Sequence, residues 1–247
     1  PHEGTFNVTQ DSFYKIKAID MDADGNSRMY VSDWKNGGYR YSGPDVGSVS
    51  LITFPGKTGA KFPDLAKASD ADLLRHIVSD SAVCRINTQR EILKRSAGGH
   101  IDGLARLAAD KSIHLHGRIA ALFTLKQLAG ESANKTIARL TLDETICEWA
   151  FRALPDRKSQ TGGVNSALFV KALRDKNPRV RLQAVIGLAR LGQARKSLLK
   201  MAAAPVDNSP KNRVYANNEI IPHIARKALV ETEATQICLD GINDEPT

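Results

Sequence analysis

The spacing of apolar residues predicts a complete helix over residues 175–192. Its apolar residues recur mostly every three or four positions: Val180, Ala184, Ile186, Leu188 and Leu191. This spacing places them on one face of an α-helix. Asn177 is a suitable N-cap, and Pro178 suits the first helical position, where its missing N–H costs nothing. Gly192 is suited to end the helix.

The same pattern returns along the chain and predicts five helix pairs. The first helices are predicted near 70–78, 101–109, 134–141, 165–174 and 193–203, and the second helices near 82–95, 113–128, 144–154, 178–191 and 219–232. A further first helix is expected near 233–239. Helix pairs that repeat every 30 to 40 residues or so, without the signatures of other helical repeats, indicate a HEAT-like α-solenoid.

Alignment of the second helices brings small residues to one position: Thr88, Ala121, Ala150, Ala184 and Ala225. Four residues later, one turn on, the aligned positions hold Ile92, Leu125, Leu154, Leu188 and Leu229. Residues four apart share a helix face. We therefore expect the small residues to let helices approach, and the large ones to fill the core between them.

Residues 1–66 have a different pattern, which predicts a small antiparallel sheet. An apolar run at 13–19 precedes an acidic turn at 20–26, and strand-like runs follow at 28–34 and 46–54. Three or four such strands make up about one blade of a β-propeller. One blade cannot cover both of its faces, so it must pack on other blades or on the helices. We place the domain boundary between residues 66 and 67.

Composition supports a folded protein, because 42% of the 247 residues are hydrophobic and 25% are charged. The sequence has no apolar run of about 18 residues, so no membrane span is predicted. The chain enters strand-like sequence almost at once and has no initiator Met. We interpret it as a piece of a longer protein.

The net charge of +8 comes from the predicted helices, because residues 1–66 are nearly neutral. A basic helical array suggests an acidic partner, and an ordinary solvated face explains the same charge. The candidate partner-binding residues are Arg118, Arg152, Arg181 and Arg226, together with Arg95. A single concave stripe of these arginines would favour a binding scaffold for a protein or an anionic polymer, whereas scattered arginines would not.

The sequence offers no catalytic or cofactor-binding residue. Cys84 and Cys147 lie in apolar helical patterns and are predicted to be buried thiols rather than nucleophiles. His114 and His116 are two residues apart, so on a helix they point in different directions and form no metal pair. Trp149 is expected to pack between helices rather than to serve as a ligand platform.

Asp20, Asp22, Asp24 and Gly25 match the opening of a calcium-binding loop, which needs oxygen ligands at alternate positions. The twelfth position is Val31, where an EF-hand requires a bidentate Glu. A complete EF-hand is therefore excluded. A structural calcium site completed by other blades and a plain β-turn both remain open.

The order of motifs in residues 1–66 resembles that of a known protein family. The stretch DMDADGNSRMYVSDWKNGGYRYSGPDVGSVSLITF contains an acidic turn, an RMYVSDW strand, a Gly-Gly turn, a YSGP corner and a VGSV return strand. It resembles the last propeller blade of the membrane-bound dehydrogenase family of planctomycetes and verrucomicrobia. These proteins are similar to quinone-dependent sugar dehydrogenases.

The resemblance implies that the chain is the last blade and the HEAT-like array of an exported, periplasmic or cell-surface sugar or alcohol dehydrogenase. The parent would use pyrroloquinoline quinone, calcium and haem c, none of them bound by this part. Its partners would be the missing blades and a downstream haem domain, and the array would be a non-catalytic spacer or docking surface. The alternative is a binding scaffold without enzyme activity, for a protein or an anionic polymer, with nucleic acid the less favoured partner. The blade argues against nuclear or cytosolic versions of this alternative, because such scaffolds have no need of a blade.

Overall fold

The protein begins with a small antiparallel sheet and continues as a mostly helical chain. This architecture is that of a computed structural model, which describes residues 18–33, 47–52, 56, 61–96, 98–203 and 220–241. The sheet contains β1 (Ala18–Ala23), β2 (Met29–Asp33) and β3 (Ser48–Ile52), in that spatial order, with both pairs antiparallel. The predicted strands at 28–34 and 46–54 are confirmed in their central residues, and most of the run at 13–19 lies outside the described residues.

The expected acidic turn at residues 20–26 is wrong in its first half. Asp22 pairs with Tyr30 across the ladder between β1 and β2, so β1 continues past Asp20 and Asp22. The turn begins only at Asp24, whose backbone N–H bonds the carbonyl oxygen of Arg28. The reason is that β2 is rich in strand-forming residues, and pairing with it outweighs the turn preference of two isolated aspartates.

The helices follow the sheet in pairs. They are α1 (Asp70–His76), α2 (Ala82–Arg95), α3 (Ile101–Ala109), α4 (Leu115–Ala129), α5 (Asn134–Leu140), α6 (Cys147–Ala153), α7 (Ser166–Ala172), α8 (Pro178–Leu191), α9 (Arg195–Ala202), α10 (Ile220–Glu231) and α11 (Thr235–Gly241). All ten helices predicted for the five pairs are present, with ends that differ by at most a few residues, and α11 lies where a further first helix is expected.

The helix ends confirm the local signals. The Asn177 side chain accepts a hydrogen bond from the backbone N–H of Arg179 at the start of α8, and Gly192 ends that helix in the left-handed region at φ 64°. Ser69 and Asp72 form a reciprocal capping box at the start of α1. Caps of this kind satisfy backbone groups that the helix itself leaves unpaired, so short polar motifs fix where each helix begins and ends.

Contacts between helices follow a simple order. Each first helix packs on the second helix of its own pair, and successive second helices also pack on one another: α2 on α4, α4 on α6, α6 on α8, and α8 on α10. The even-numbered helices α2 to α10 therefore form one continuous row, which we call the second-helix row.

The aligned positions lie in the interior of this row, as predicted. Thr88, Ala121, Ala150, Ala184 and Ala225 are all completely buried, and the aligned large residues are at most 5% exposed. All of them except the polar Thr88 belong to one continuous apolar core that reaches from Leu65 to Ala234. The small residues allow the second helices to approach closely, and the large ones fill the space one turn later.

Residues 61–69 connect the sheet to the helices. The backbone N–H of Phe62 donates to the side chain of Asn26 in the turn between β1 and β2, and Phe62 also packs against the helical core. Arg95, at the end of α2, donates to the carbonyl oxygens of Leu65, Ala66 and Ala68. The connection is thus held from both sides, by the turn and by α2.

Candidate protein-docking groove

The structure removes Arg118 from the candidate binding residues. Its side chain is 3% exposed. The guanidinium donates to the carbonyl oxygen of Ala108 at 2.9 Å, the hydroxyl of Thr145 at 2.7 Å and the carboxylate of Asp143 at 2.7 Å. Arg118 joins the second helix pair to the loop before α6, so the prediction that it contacts a partner is wrong. The physical reason is that the next pair covers it.

Arg95 and Arg181 are also engaged in internal contacts. Besides its three carbonyl acceptors, Arg95 pairs with Glu91 at 2.9 Å and Asp70 at 3.1 Å. Arg181 donates to the carbonyl oxygens of Asp175 and Lys176, at 2.8 and 3.1 Å. Arg95 is therefore held by the chain itself, whereas Arg181 is engaged through one nitrogen, and its contact with a partner stays a prediction.

The arginines that hold carbonyls share a sequence position that the sequence analysis missed. Arg85, Arg118 and Arg181 each lie four residues after the N-cap of a second helix, the caps being Ser81, His114 and Asn177. Side chains on a helix lean toward its N-terminus, so an arginine one turn inside reaches back to the preceding segment. An arginine four residues after a cap is therefore a signal for a structural contact.

Arg152 and Arg226 are the two remaining candidates, and both are exposed. Arg152 lies on α6 and Arg226 on α10, and the second-helix row places α8 between them. Because Arg118 is buried and Arg95 is held by internal contacts, the five arginines do not form one exposed basic stripe. A scaffold that binds a protein or an anionic polymer through such a stripe is therefore not favoured.

Arg152 belongs to an open groove on the outer face of α2, α4 and α6, which we call the α2–α4–α6 groove. Its lining includes Ile86 and Gln89 from α2, His116 and Phe123 from α4, and Trp149 and Arg152 from α6. The rings of Phe123 and Trp149 meet edge to face, with centroids 6.4 Å apart and planes at 83°. Trp149 packs against the core, as predicted, and also lines the groove.

The groove combines exposed apolar surface with positive charge. The guanidinium carbon of Arg152 lies 5.7 Å from the centroid of the Trp149 ring and 6.0 Å from that of Phe123. Such cation–π contacts favour a fixed guanidinium position. Arg85 lines the opposite wall, and none of the lining residues is an aspartate or glutamate. A ligand for this groove would carry both an apolar group and a negative charge.

A second, mostly apolar groove lies between α9, α10 and α11. It is lined by Leu199, Leu229, Val230 and Cys238, with Arg226 at its edge. Val230 is 79% exposed. Nothing else in the described residues shows what would cover this surface.

Among the carboxylates of the described residues, Asp143 has the pKa that is shifted furthest from its ordinary value. Burial by itself would raise its pKa, but hydrogen bonds from Arg118 and Thr145 and the charge of Arg118 outweigh this and lower the pKa to about 2. The ordinary value is 3.8. The unfolded chain therefore binds a proton at Asp143 at higher pH than the folded chain does, and acid favours unfolding.

We expect this contact to be lost between about pH 5 and pH 2, at a cost of about 1 to 2 kcal/mol. The measurement is the free energy of urea unfolding across this range for the wild type and Asp143→Asn. The wild type should lose more stability on acidification than the variant does. Equal losses in the two proteins would contradict the assignment.

The three candidate calcium ligands do not converge in the structure. Asp20 and Asp22 accept hydrogen bonds from the backbone N–H groups of the residues that follow them. Asp24 accepts from the backbone of Asn26 and from both the backbone and the side chain of Arg28. In the part of the chain that the structure describes, no three His, Cys, Asp or Glu side chains are grouped to hold a metal ion. The calcium site stays a prediction about a site completed by other blades.

Two histidines and two cysteines that are candidate reactive groups either cap a helix or are buried. His114 caps α4 by accepting a hydrogen bond from the backbone N–H of Gly117, and His100 is buried. Cys84 and Cys147 are buried, which confirms that prediction. Burial raises the pKa of the Cys147 thiol, which disfavours the reactive thiolate.

None of the helices within the described ranges is long and apolar enough to cross a lipid bilayer. Comparison with the models of known protein families, and with curated proteins, finds none that matches this chain. The resemblance to quinone-dependent dehydrogenases therefore stays a prediction from the residues of the first segment.

Proposed function

We propose that residues 67–247 form a HEAT-like α-solenoid that serves as a non-catalytic docking surface for another protein. The solenoid is supported by the second-helix row and by the complete burial of the small residue that each second helix contributes to it. The observation that carries the docking function is the α2–α4–α6 groove, where aromatic and aliphatic surface lies beside Arg152. Protein interfaces are enriched in aromatic residues and arginine.

We propose further that the parent protein is an exported, quinone-dependent sugar or alcohol dehydrogenase, and that the docking surface faces its electron-accepting haem domain. The exposed apolar residues of the sheet support this proposal: Ile19 (54%), Met21 (65%), Val49 (70%) and Leu51 (45%). A blade that packs between other blades would cover such residues. The quinone and the haem would be bound by other parts of the parent.

The first test is to read the DNA that flanks the coding sequence of this chain. Five further blades upstream and a CxxCH haem motif downstream are expected. If neither is encoded, the dehydrogenase proposal falls, and a binding scaffold without enzyme activity takes its place.

The docking surface is then tested in the full-length parent with two double variants. Ile86→Ser with Arg152→Met alters the α2–α4–α6 groove, and Val170→Ser with Arg106→Met alters exposed positions on first helices. We expect the groove variant to slow reduction of the haem domain, and the control variant to leave it unchanged. Turnover with a small artificial electron acceptor should be unchanged in both, because that acceptor needs no docking. Haem reduction at the wild-type rate in the groove variant would overturn the proposal that this docking surface faces the haem domain.

A further inference from the structure

The α2–α4–α6 groove has an apolar part formed by aromatic and aliphatic side chains. Phe123 and Trp149 are half-buried, so each leaves part of its ring exposed, and Ile86 is 50% exposed on the other wall. Large aromatic and aliphatic surfaces that remain open in a folded protein mark places where another apolar group binds. The groove runs across three helices, which suits an extended segment better than a helix laid along one of them.

Arg152 provides the polar part of the groove. Its side chain is exposed, and among the described residues its guanidinium makes no hydrogen bond or ion pair, only the contacts to the Trp149 and Phe123 rings. The donors of the guanidinium thus remain available for a carboxylate, which arginine binds through two parallel hydrogen bonds. Because the rings already restrict the side chain, little of its freedom is lost on binding.

The charge of the lining determines the sign of the ligand. Arg85 and Arg152 are both present, and the lining includes no carboxylate to neutralise them. Arg85 is partly committed, because one of its nitrogens donates to the carbonyl oxygens of Ser79 and Asp80. One fully available guanidinium suits a carboxylate or two, whereas a phosphate backbone requires a row of cationic side chains.

We propose that the α2–α4–α6 groove binds an extended acidic peptide segment of a partner protein. An aromatic or large aliphatic side chain of that segment would lie against Phe123 and Trp149, and a neighbouring Asp or Glu would bind Arg152. This inference rests on the proposed docking function and gives the chemistry of the partner.

The test uses the 247-residue chain and synthetic peptides with a fluorescent label. One peptide contains a phenylalanine flanked by aspartates in a glycine–serine background, a second has asparagine in place of each aspartate, and a third has serine in place of the phenylalanine. Binding is measured by fluorescence anisotropy at low and moderate salt. We expect saturable binding of the first peptide, and weaker binding of the other two.

Substitutions in the groove test which part of it binds the acidic residues of the peptide and which part binds the phenylalanine. Arg152→Met should weaken the acidic peptide by about tenfold and the asparagine peptide hardly at all, since a charge-assisted hydrogen bond is lost. Ile86→Ser should weaken both phenylalanine peptides. Arg106→Met, an exposed arginine of α3, should change nothing. Because Ile86 and Arg152 are exposed, neither variant removes a buried contact.

The inference would be overturned if the acidic peptide showed no saturable binding at concentrations up to about 1 mM. It would also be overturned if the wild type and Arg152→Met bound the acidic peptide equally. Tighter binding of a single-stranded oligonucleotide, with the same dependence on Arg152, would assign the groove to nucleic acid instead. If the peptides fail but the groove variant still slows haem reduction, the docking function stands and only the peptide chemistry falls. If the peptides bind but haem reduction is unaffected in the groove variant, the peptide chemistry stands, and the proposal that the docking surface faces the haem domain falls.

Discussion

Arg118→Met is expected to lower the free energy of unfolding by about 3–5 kcal/mol. The substitution removes a nearly buried guanidinium and leaves the Asp143 carboxylate, which is 12% exposed, with only the exposed Lys111, at 3.9 Å, as a charged partner. It also leaves the carbonyl oxygen of Ala108 and the hydroxyl of Thr145 without this donor. A charge that is left poorly paired in a poorly solvated site costs more than the pair itself contributes. Urea unfolding at pH 7 measures the effect.

The matched control is Arg106→Met, which removes an exposed arginine of α3 and should change the stability by no more than about 0.5 kcal/mol. A double-mutant cycle with Asp143→Asn separates the pair from its surroundings, because the two losses should be far from additive. A loss below about 1 kcal/mol for Arg118→Met would mean that water reaches Asp143 in solution, and the assignment of Arg118 as a structural residue would be wrong.

Leu188→Ala is the second large effect, with an expected loss of about 2–5 kcal/mol. Leu188 is completely buried in α8, and this helix packs on α6, α7, α9 and α10. The truncation removes apolar contacts and leaves a cavity that the neighbouring helices can only partly close. Thermal or urea unfolding measures the loss.

Leu142→Ala is the matched control for this prediction. It makes the same chemical change at a leucine that is 81% exposed, so the stability should change by no more than about 0.5 kcal/mol. Equal losses of stability for Leu188→Ala and Leu142→Ala would contradict the placement of Leu188 in the core. A loss for Leu188→Ala accompanied by a broader transition would instead show that the helix pairs unfold separately, as repeat arrays do when the coupling between neighbours is weakened.

The helices could be predicted well because their signals are local. Capping residues and the spacing of apolar positions act within one or two turns, so Ser69, Asn177 and Gly192 mark helix ends without reference to the rest of the chain. The strand β1 was predicted less well. Its acidic residues favour a turn locally, and only pairing with β2 extends it through Asp22.

The candidate site could be predicted only in part. Arg152 and Arg226 are exposed as expected, but Arg118 is not, although all three lie on second helices. The difference comes from Asp143 and Thr145 in the loop before α6, which cover Arg118. The position of Arg118 four residues after the His114 cap signals a structural contact, but no local pattern shows which distant residues will cover it.

The sequence by itself determined the helix pairs, their order and the buried position shared by the second helices. These depend on periodicity and capping, which are short-range properties of the chain. The tertiary structure alone decided which arginines are held inside and that Phe123, Trp149 and Arg152 meet in one groove. Such contacts join different helices, and they depend on how closely the helices pack, which periodicity does not specify.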